Sequence, residues 1–499
     1  MLRITMAVSI IRIALTALLL ASSSVLAAAP GIAIITEDRA ALRSAPRDSA
    51  QSQAVLWPGE LVEVRGRRMD YLQVYDYKRE RGGYVRASHA RELSLTADEA
   101  PDLLAIVRFL RDTPGAESLG LGYAAAFIQA APAEVAAREP GLEALDAMGT
   151  FADRLARRAS SSGAQAKAVE AALATHLDVA KDHGVRFANV ERDGRMHICY
   201  DGDAFRRVLA MRATPAQRAR AALGLTHPHC VSTDAGPLER SRVNEAHAQL
   251  LNSVDVSLLP AYLRNRVLMR RATAWSAVAF HRVRKGDEAT SAAARAVSDL
   301  AAVARNELPD ADITAYNDAV MRVSASRWGA LPSAAAGKLK TVRVVTLPRE
   351  PGETCVLLVD AKHDASNPLA QRCTYAFVWT NSATLNREGN ALALAVQPLD
   401  TWRELWIFRK EPAGWTVRVL PPAAATPEVG YAEFAGWVPG GHQVLVAREA
   451  RADGKYRRSF ELVRLDTLMP ARQASDAMLL GAFQRWQDPS WKAQTLSLR

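Results

Sequence analysis

Two short segments concentrate the reactive side chains of this 499-residue chain. His197-Ile198-Cys199 and His227-Pro228-His229-Cys230 bring three imidazoles and two thiols into one stretch of sequence. Such a set supports three chemistries. Four of His197, Cys199, His227, His229 and Cys230 could hold Zn²⁺ in its preferred tetrahedral N/S shell. A cysteine beside a histidine could form a thiolate nucleophile. Alternatively the two thiols oxidise to a disulfide, which removes both from the first two roles. Cys355 and Cys373 complete the cysteine inventory, and four cysteines allow three pairings. Pairing nearest neighbours, Cys199–Cys230 and Cys355–Cys373, keeps each bridge inside one compositional segment. The chain also lacks paired Cys-x-x-Cys elements, so the disulfide reading leads and the His/Cys metal set stands as its alternative.

Other catalytic signatures are missing. The sequence has no Gly-x-Ser-x-Gly elbow, no Ser-x-x-Lys, no His-Glu-x-x-His and no Gly-rich phosphate loop behind a strand. No carboxylate pair stands out as an acid and base in an apolar setting. The expectation is a non-catalytic protein without a cofactor. An envelope hydrolase with its site between a helical and a β module is the alternative, since glycosidase sites often lack a local motif.

The compartment follows from the first residues. Arg3 and Arg12 form a positive n-region, Ile13 to Ala21 an apolar core, and Val25-Leu26-Ala27 the small residues read by signal peptidase. The expectation is a signal peptide over 1–27, cleaved near Ala27, and a periplasmic mature protein. Its apolar run is about half the ~18–20 residues that a spanning helix needs, and no later stretch reads as an integral membrane span. The formal net charge is +10, or +8 once Arg3 and Arg12 leave with the signal (10 − 2). Export makes nucleic acid an unsuitable partner for that charge. Anionic lipid headgroups, lipopolysaccharide or peptidoglycan carboxylates are the anions at hand, and clusters such as Arg65/Arg67/Arg68 and Arg270/Arg271 could meet them.

Composition divides the rest into three modules, a multidomain α+β chain: 28–95, 96–332 and 333–499. In the first, short apolar runs of period two are broken by Pro and Gly, the pattern of a small antiparallel barrel. Leu42-Arg43-Ser44-Ala45-Pro46, the Pro58-Gly59 turn, Tyr71-Leu72-Gln73-Val74 and Gly83-Tyr84-Val85 follow one another in order. That order resembles a bacterial SH3 (SH3b) domain, with Tyr in place of Trp in both strand motifs. The resemblance implies an SH3-like β-barrel that binds wall peptides or another envelope component, with Tyr71, Tyr75 and Tyr84 as groove aromatics. A Tyr suits that role because it offers a flat apolar face and a hydroxyl. Packing inside the barrel is the competing fate of Tyr71 and Tyr84.

The second module is Ala-rich and helical. Leu103, Ile106, Val107 and Leu110 mark one helix face, and Leu259-Pro260 opens a long helix that Gly286-Asp287 ends before another restarts. That hairpin is similar to one tetratricopeptide unit, but no second copy recurs at a fixed period, which leaves a plain helical domain. Beyond the 331–337 linker, β-type runs dominate and seven of the ten Trp residues occur. Trp379 to Phe408 and Trp437 to Leu465 share one order of Trp, Gly-containing turn and two apolar strands. With Trp437-Val438-Pro439-Gly440-Gly441 as its clearest piece, the repeat resembles a β-propeller blade. The segment is too short for an ordinary closed ring, so an antiparallel β domain is expected, either a sandwich or an incomplete propeller-like sheet. Trp402, Trp406, Trp415, Trp486 and Trp491 belong either to its core or to a carbohydrate-stacking surface. Together these features predict a periplasmic binding or scaffold protein whose partner is peptidoglycan or an envelope protein, with a periplasmic metal-binding protein as a further alternative.

Overall fold

The computed structural model describes residues 31–161, 167–192, 195–232, 234–331, 342–424, 427–452 and 454–494. The signal segment and all of the 331–337 linker except Leu331 lie outside them. The chain divides into two compact units, Met1–Ser94 and Leu95–Arg499. None of the helices among the described residues is long and apolar enough to cross a membrane.

Among the described residues, the first unit is one antiparallel sheet of seven strands: β1 (Gly31–Ile35), β2 (Ala40–Arg43), β3 (Ser52–Leu56), β4 (Leu61–Arg68), β5 (Tyr71–Asp76), β6 (Arg81–Arg86) and β7 (Ala90–Leu93). Their order is β3-β2-β6-β5-β4-β1-β7. The outer strands β3 and β7 do not pair, so the described sheet is antiparallel as expected but does not close into the barrel the sequence suggests. Alternation puts Leu42, Val62, Leu72, Val74 and Val85 on one buried face. Pro58-Gly59 makes the predicted turn: the Glu60 N–H donates to Trp57 O at 3.1 Å, and Gly59 takes φ 94°. That is a type II turn, whose third position favours glycine. Gly83 is required for a different reason. A Cβ there would lie 2.8 Å from Arg43 O and from the Leu42 side chain, where β6 meets β2. Gly83→Ala should therefore cost about 1–3 kcal/mol, read as a lower denaturation midpoint for this unit.

The second unit begins with α1 (Ala100–Arg111), α2 (Glu117–Ala130), α3 (Ala133–Ala136), α4 (Glu139–Ser160) and α5 (Lys167–Asp182). A hairpin then interrupts the helices, β8 (Phe187–Arg192) and β9 (Arg195–Tyr200). After it come α6 (Asp203–Ala210), α7 (Pro215–Leu225), α8 (Pro237–Asn252), α9 (Ala261–Lys285), α10 (Thr290–Ala301) and α11 (Asp310–Ser326). On α1, Leu103, Leu104, Val107 and Leu110 are buried, close to the predicted stripe, while Phe109 faces solvent. The predicted long helix is α9, which packs against α8, α10 and α11. Gly286 ends it at φ 80°, with Asp287 N–H returning to Arg282 O at 3.0 Å. This is the Schellman closure that glycine permits.

Three successive antiparallel meanders follow. The first holds β10 (Val342–Pro348), β11 (Thr354–Asp360) and β12 (Ala370–Thr374). The second holds β13 (Phe377–Leu385), β14 (Ala391–Leu399), β15 (Trp402–Glu411) and β16 (Gly414–Leu420). The third holds β17 (Val429–Val438), β18 (Gln443–Ala452), β19 (Lys455–Arg464) and β20 (Pro470–Ala474). A short parallel contact of β15 with β17 joins the last two into one sheet. The middle meander is buried on both faces. Leu392, Leu394, Trp406 and Phe408 pack with Val356 and Leu358 of the first meander. On the other face, Ala391, Ala393, Leu405 and Ile407 pack with Val444, Val446 and Val463 of the third. Two-sided burial explains why β14 opens with the unbroken apolar run Ala391 to Val396. The far face of the third meander carries Leu445, Ala447 and Phe460, covered by Phe483 of α12 (Gly481–Trp486) and Trp491 of α13 (Pro489–Gln494). Trp402, Trp406 and Trp491 are buried, Trp415 is half-buried against the core and Trp486 is exposed. They do not form a common stacking surface.

Candidate functional site

The predicted disulfides are both present. Cys355 and Cys373 face each other across β11 and β12, with Cα atoms 3.8 Å apart. Cys199 on β9 is bridged to Cys230, with Cα atoms 5.7 Å apart. The second bridge matters for the site because Cys230 ends the loop that joins α7 to the approach of α8. Two arginines hold the same loop: Arg192 donates to Pro228 O at 2.5 Å, and Arg270 to Thr226 O at 2.5 Å and Leu223 O at 3.3 Å. A clamped loop presents its side chains in fixed geometry, with a cavity on one side and a cleft on the other.

On the first side, His197, His227, His229, Tyr200 and Arg195 line a cavity of about 310 Å³. His197 and His229 stack at 4.7 Å between ring centroids, 7° from parallel, and His227 lies 5.5 Å from His229. The fold thus brings the three imidazoles together, but their chemistry is narrower than the motif allows. Both sulfurs are spent in the bridge, which excludes thiolate ligation and a Cys nucleophile while it is intact. Parallel rings also aim their in-plane nitrogens side by side instead of at one point. Among the described residues, Glu353, Cys355 and Cys373 form the one compact trio of metal-type atoms, and two of those are bridged. Burial, then the Arg270 guanidinium and His229, drives the His227 imidazole down to about 3. Burial, followed by His197 and Arg192, takes His229 down to about 4. Both are neutral at pH 7. Ser160 is no nucleophile candidate either: its hydroxyl donates to Ala156 O at 2.8 Å and accepts from the Ile198 N–H at 2.8 Å.

On the second side lies a cleft of about 160 Å³ between helices and the β14–β15 turn. Helix α8 contributes Arg240, Asn244 and His247, and α9 contributes Arg270, Ala277 and His281, each at helical spacing on one face. Arg322 of α11, Arg192 of β8 and Asp400 complete its charged lining. Burial and Arg270 push His247 down to about 4, and burial, opposed by Asp400, lowers His281. The arginines therefore carry the charge. Burial brings Arg270 down to about 10 against the pull of Asp153, which still leaves it cationic at neutral pH. A cleft between helical and β parts is where the hydrolase alternative expected a site. Among the described residues its lining holds one carboxylate, Asp400, in place of an acid–base pair. Of these residues only Arg270 was singled out by sequence, as part of a charge cluster. Arg240, Asn244 and His247 fall on one side of α8, but Glu239, Arg242, Glu245 and Gln249 make the helix polar elsewhere too, so nothing local set them apart.

In the first unit the strand register decides which predicted aromatics meet. Tyr71 and Tyr75 share the outer face of β5, and Tyr84 of β6 stands opposite Gln73 on that same face. All three come together. Tyr71 is nonetheless covered, because its hydroxyl donates to Asp48 at 2.6 Å and Arg86 pairs with the same carboxylate. Hydrogen bonds from Arg86 and Tyr71 hold the Asp48 carboxyl down to about 2. Tyr75 and Tyr84 are half-buried. Arg65 lies 4.0 Å over the Tyr75 ring, and the exposed Tyr77 meets Tyr75 edge-on at 5.0 Å. Gly82 stands opposite Tyr75 and Gly66 opposite Gln73, so no side chain rises beside these residues from those positions.

No family model, curated protein or solved structure matches the chain.

Proposed function

We propose that this is an exported, non-catalytic binding protein of the cell envelope, and that the outer face of β5 and β6 is its recognition surface. The observation that carries the reading is the gathering of Tyr75, Tyr77 and Tyr84 on one open face beside Arg65 and the gaps left by Gly66 and Gly82. Rigid aromatic faces suit stacking against a peptide or glycan strand, and Arg65, paired with Glu63 at 2.8 Å, braces the Tyr75 ring from one side. The bacterial SH3 resemblance of Leu42 to Val85 points the same way, with peptidoglycan or an envelope protein as the partner. Export is supported by the signal-peptide pattern and by two disulfides, which persist in oxidising compartments. For the C-terminal part, three stacked meanders support the incomplete propeller-like reading over a simple sandwich.

Co-sedimentation of the full mature chain with purified sacculi at low salt tests this. The wild type should pellet, and Tyr75→Ala/Tyr84→Ala should weaken binding by about tenfold or more, the scale of an aromatic anchor. Neither ring belongs to the buried core of the sheet, so the variant's unfolding midpoint should stay close to wild type. Wild-type protein that stays in the supernatant, or a variant that binds equally well, would sink the proposal. So would fractionation of the protein with the cytoplasm.

A further inference from the structure

The cleft beside the clamped loop has a charge pattern that the recognition face does not explain. Among the described residues of its lining, Arg240, Arg270 and Arg322 face a single carboxylate, Asp400, a surplus of two (3 − 1), with Arg192 at the margin. Arg192 and Arg270 spend donors on loop carbonyls. Asp153, the other acid near Arg270, is already paired with Arg157 at 2.7 Å. The Arg240 and Arg322 guanidiniums have no hydrogen-bond or ion-pair partner among the described residues. Arg322 is half-buried on α11, where an unmatched charge is costly unless something anionic shares the site. His247 and His281 add neutral ring nitrogens that can donate to an oxygen without adding charge.

We infer that this cleft binds a phosphate group, held by Arg240 and Arg322 with Arg270 and the His247 and His281 rings around it. Planar guanidinium forks match the oxygens of a phosphate, two at a time. A singly charged carboxylate would leave one of the two surplus charges unmatched, whereas a phosphate dianion offsets both. The cleft is small and walled by α8, α9 and the β14–β15 turn, so it admits a head group and leaves the rest of any larger ligand outside. The group has two plausible sources in an envelope, free inorganic phosphate and the headgroup of an anionic phospholipid.

Calorimetric titration of the full mature chain with inorganic phosphate at low ionic strength is the test, run beside flotation with vesicles containing phosphatidylglycerol. Binding of either probe should fall at least tenfold in Arg322→Gln and in Arg240→Gln. Arg240 is exposed on α8, so its replacement leaves the core intact and separates loss of ligand from loss of fold. Phosphate binding alone identifies the free ion, and vesicle binding alone identifies the headgroup. Either result stands for the site only if both variants lose it. Failure of the wild type to bind either probe, or wild-type affinity in both variants, overturns the inference. Sacculus binding depends on Tyr75 and Tyr84, so the two surfaces stand or fall separately.

Discussion

Glu433→Ala should cost the Leu95–Arg499 unit about 3–5 kcal/mol, the loss expected when one member of a buried ion network is removed. Glu433 on β17 is 2% exposed and lies between two guanidiniums, Arg327 just beyond α11 at 7% and Arg403 on β15 at 0%. Arg327 Nε donates to the carboxylate at 3.2 Å, and Nη2 groups of both arginines make closer contacts with it. Arg403 also donates to Ser324 O at 2.7 Å and Ala325 O at 3.3 Å. These carbonyls lie at the negative end of the α11 dipole. The cluster therefore fastens the last long helix to the sheet, and removing Glu433 leaves two buried cations facing each other. Nine of the ten Trp residues lie in this unit, so denaturation followed by Trp fluorescence reports on it. Replacing the whole triad by Met and Leu should recover most of the loss, because desolvation of three ions is then avoided. A midpoint unchanged in Glu433→Ala would mean that the network contributes nothing.

The same carboxylate sets an acid limit. Burial alone would raise Glu433, but Arg327 and Arg403 outweigh it and hold the group below its ordinary value. A depressed folded-state pKa means the contribution is complete above the unfolded value near ~4.3. It is lost as pH falls through the lower folded value. Wild-type stability should accordingly drop more steeply in acid than that of Glu433→Gln, which has no proton to take up there.

That triad also shows where the sequence stops being informative. Arg327 and Glu433 are 106 positions apart, and no local pattern pairs them. Features set by neighbouring residues were legible. The Pro58-Gly59 turn, the Gly286 helix stop and the alternating strands of the first unit each depend on a few adjacent dihedrals and a period of two or 3.6. The cysteine pairing was legible because each bridge closes a short loop, 31 and 18 residues in separation. The β8–β9 hairpin was not, since it sits among helices and its burial depends on α4 and on the Pro228–Cys230 turn. Tyr71, Tyr75 and Tyr84 were grouped through the bacterial SH3 resemblance, but the covering of Tyr71 needed Asp48 from the β2–β3 loop. The arginine cleft was hidden for the same reason. Its lining comes from β8, α8, α9, α11 and a turn of the sheet, and only tertiary packing brings those together.

Loss of the Cys199–Cys230 bridge should reveal the second large effect, and a matched control separates stability from function. In the chain-entropy picture a 31-residue separation contributes about 3–4 kcal/mol. The 18-residue Cys355–Cys373 separation contributes about 3. Cys199→Ser/Cys230→Ser and Cys355→Ser/Cys373→Ser should therefore lower the denaturation midpoint by similar amounts. Their effects on the cleft should differ. The first pair frees the end of the loop whose Thr226 and Pro228 line the cleft and whose carbonyls engage Arg192 and Arg270. No residue of β11 or β12 lines it. Phosphate affinity should fall about tenfold when the first bridge is removed, and persist when the second is removed, measured where both variants are still folded. Equal losses in the two variants would mean that the bridge acts only through global stability. Retention in both would mean that Arg192 and Arg270 hold the loop without it.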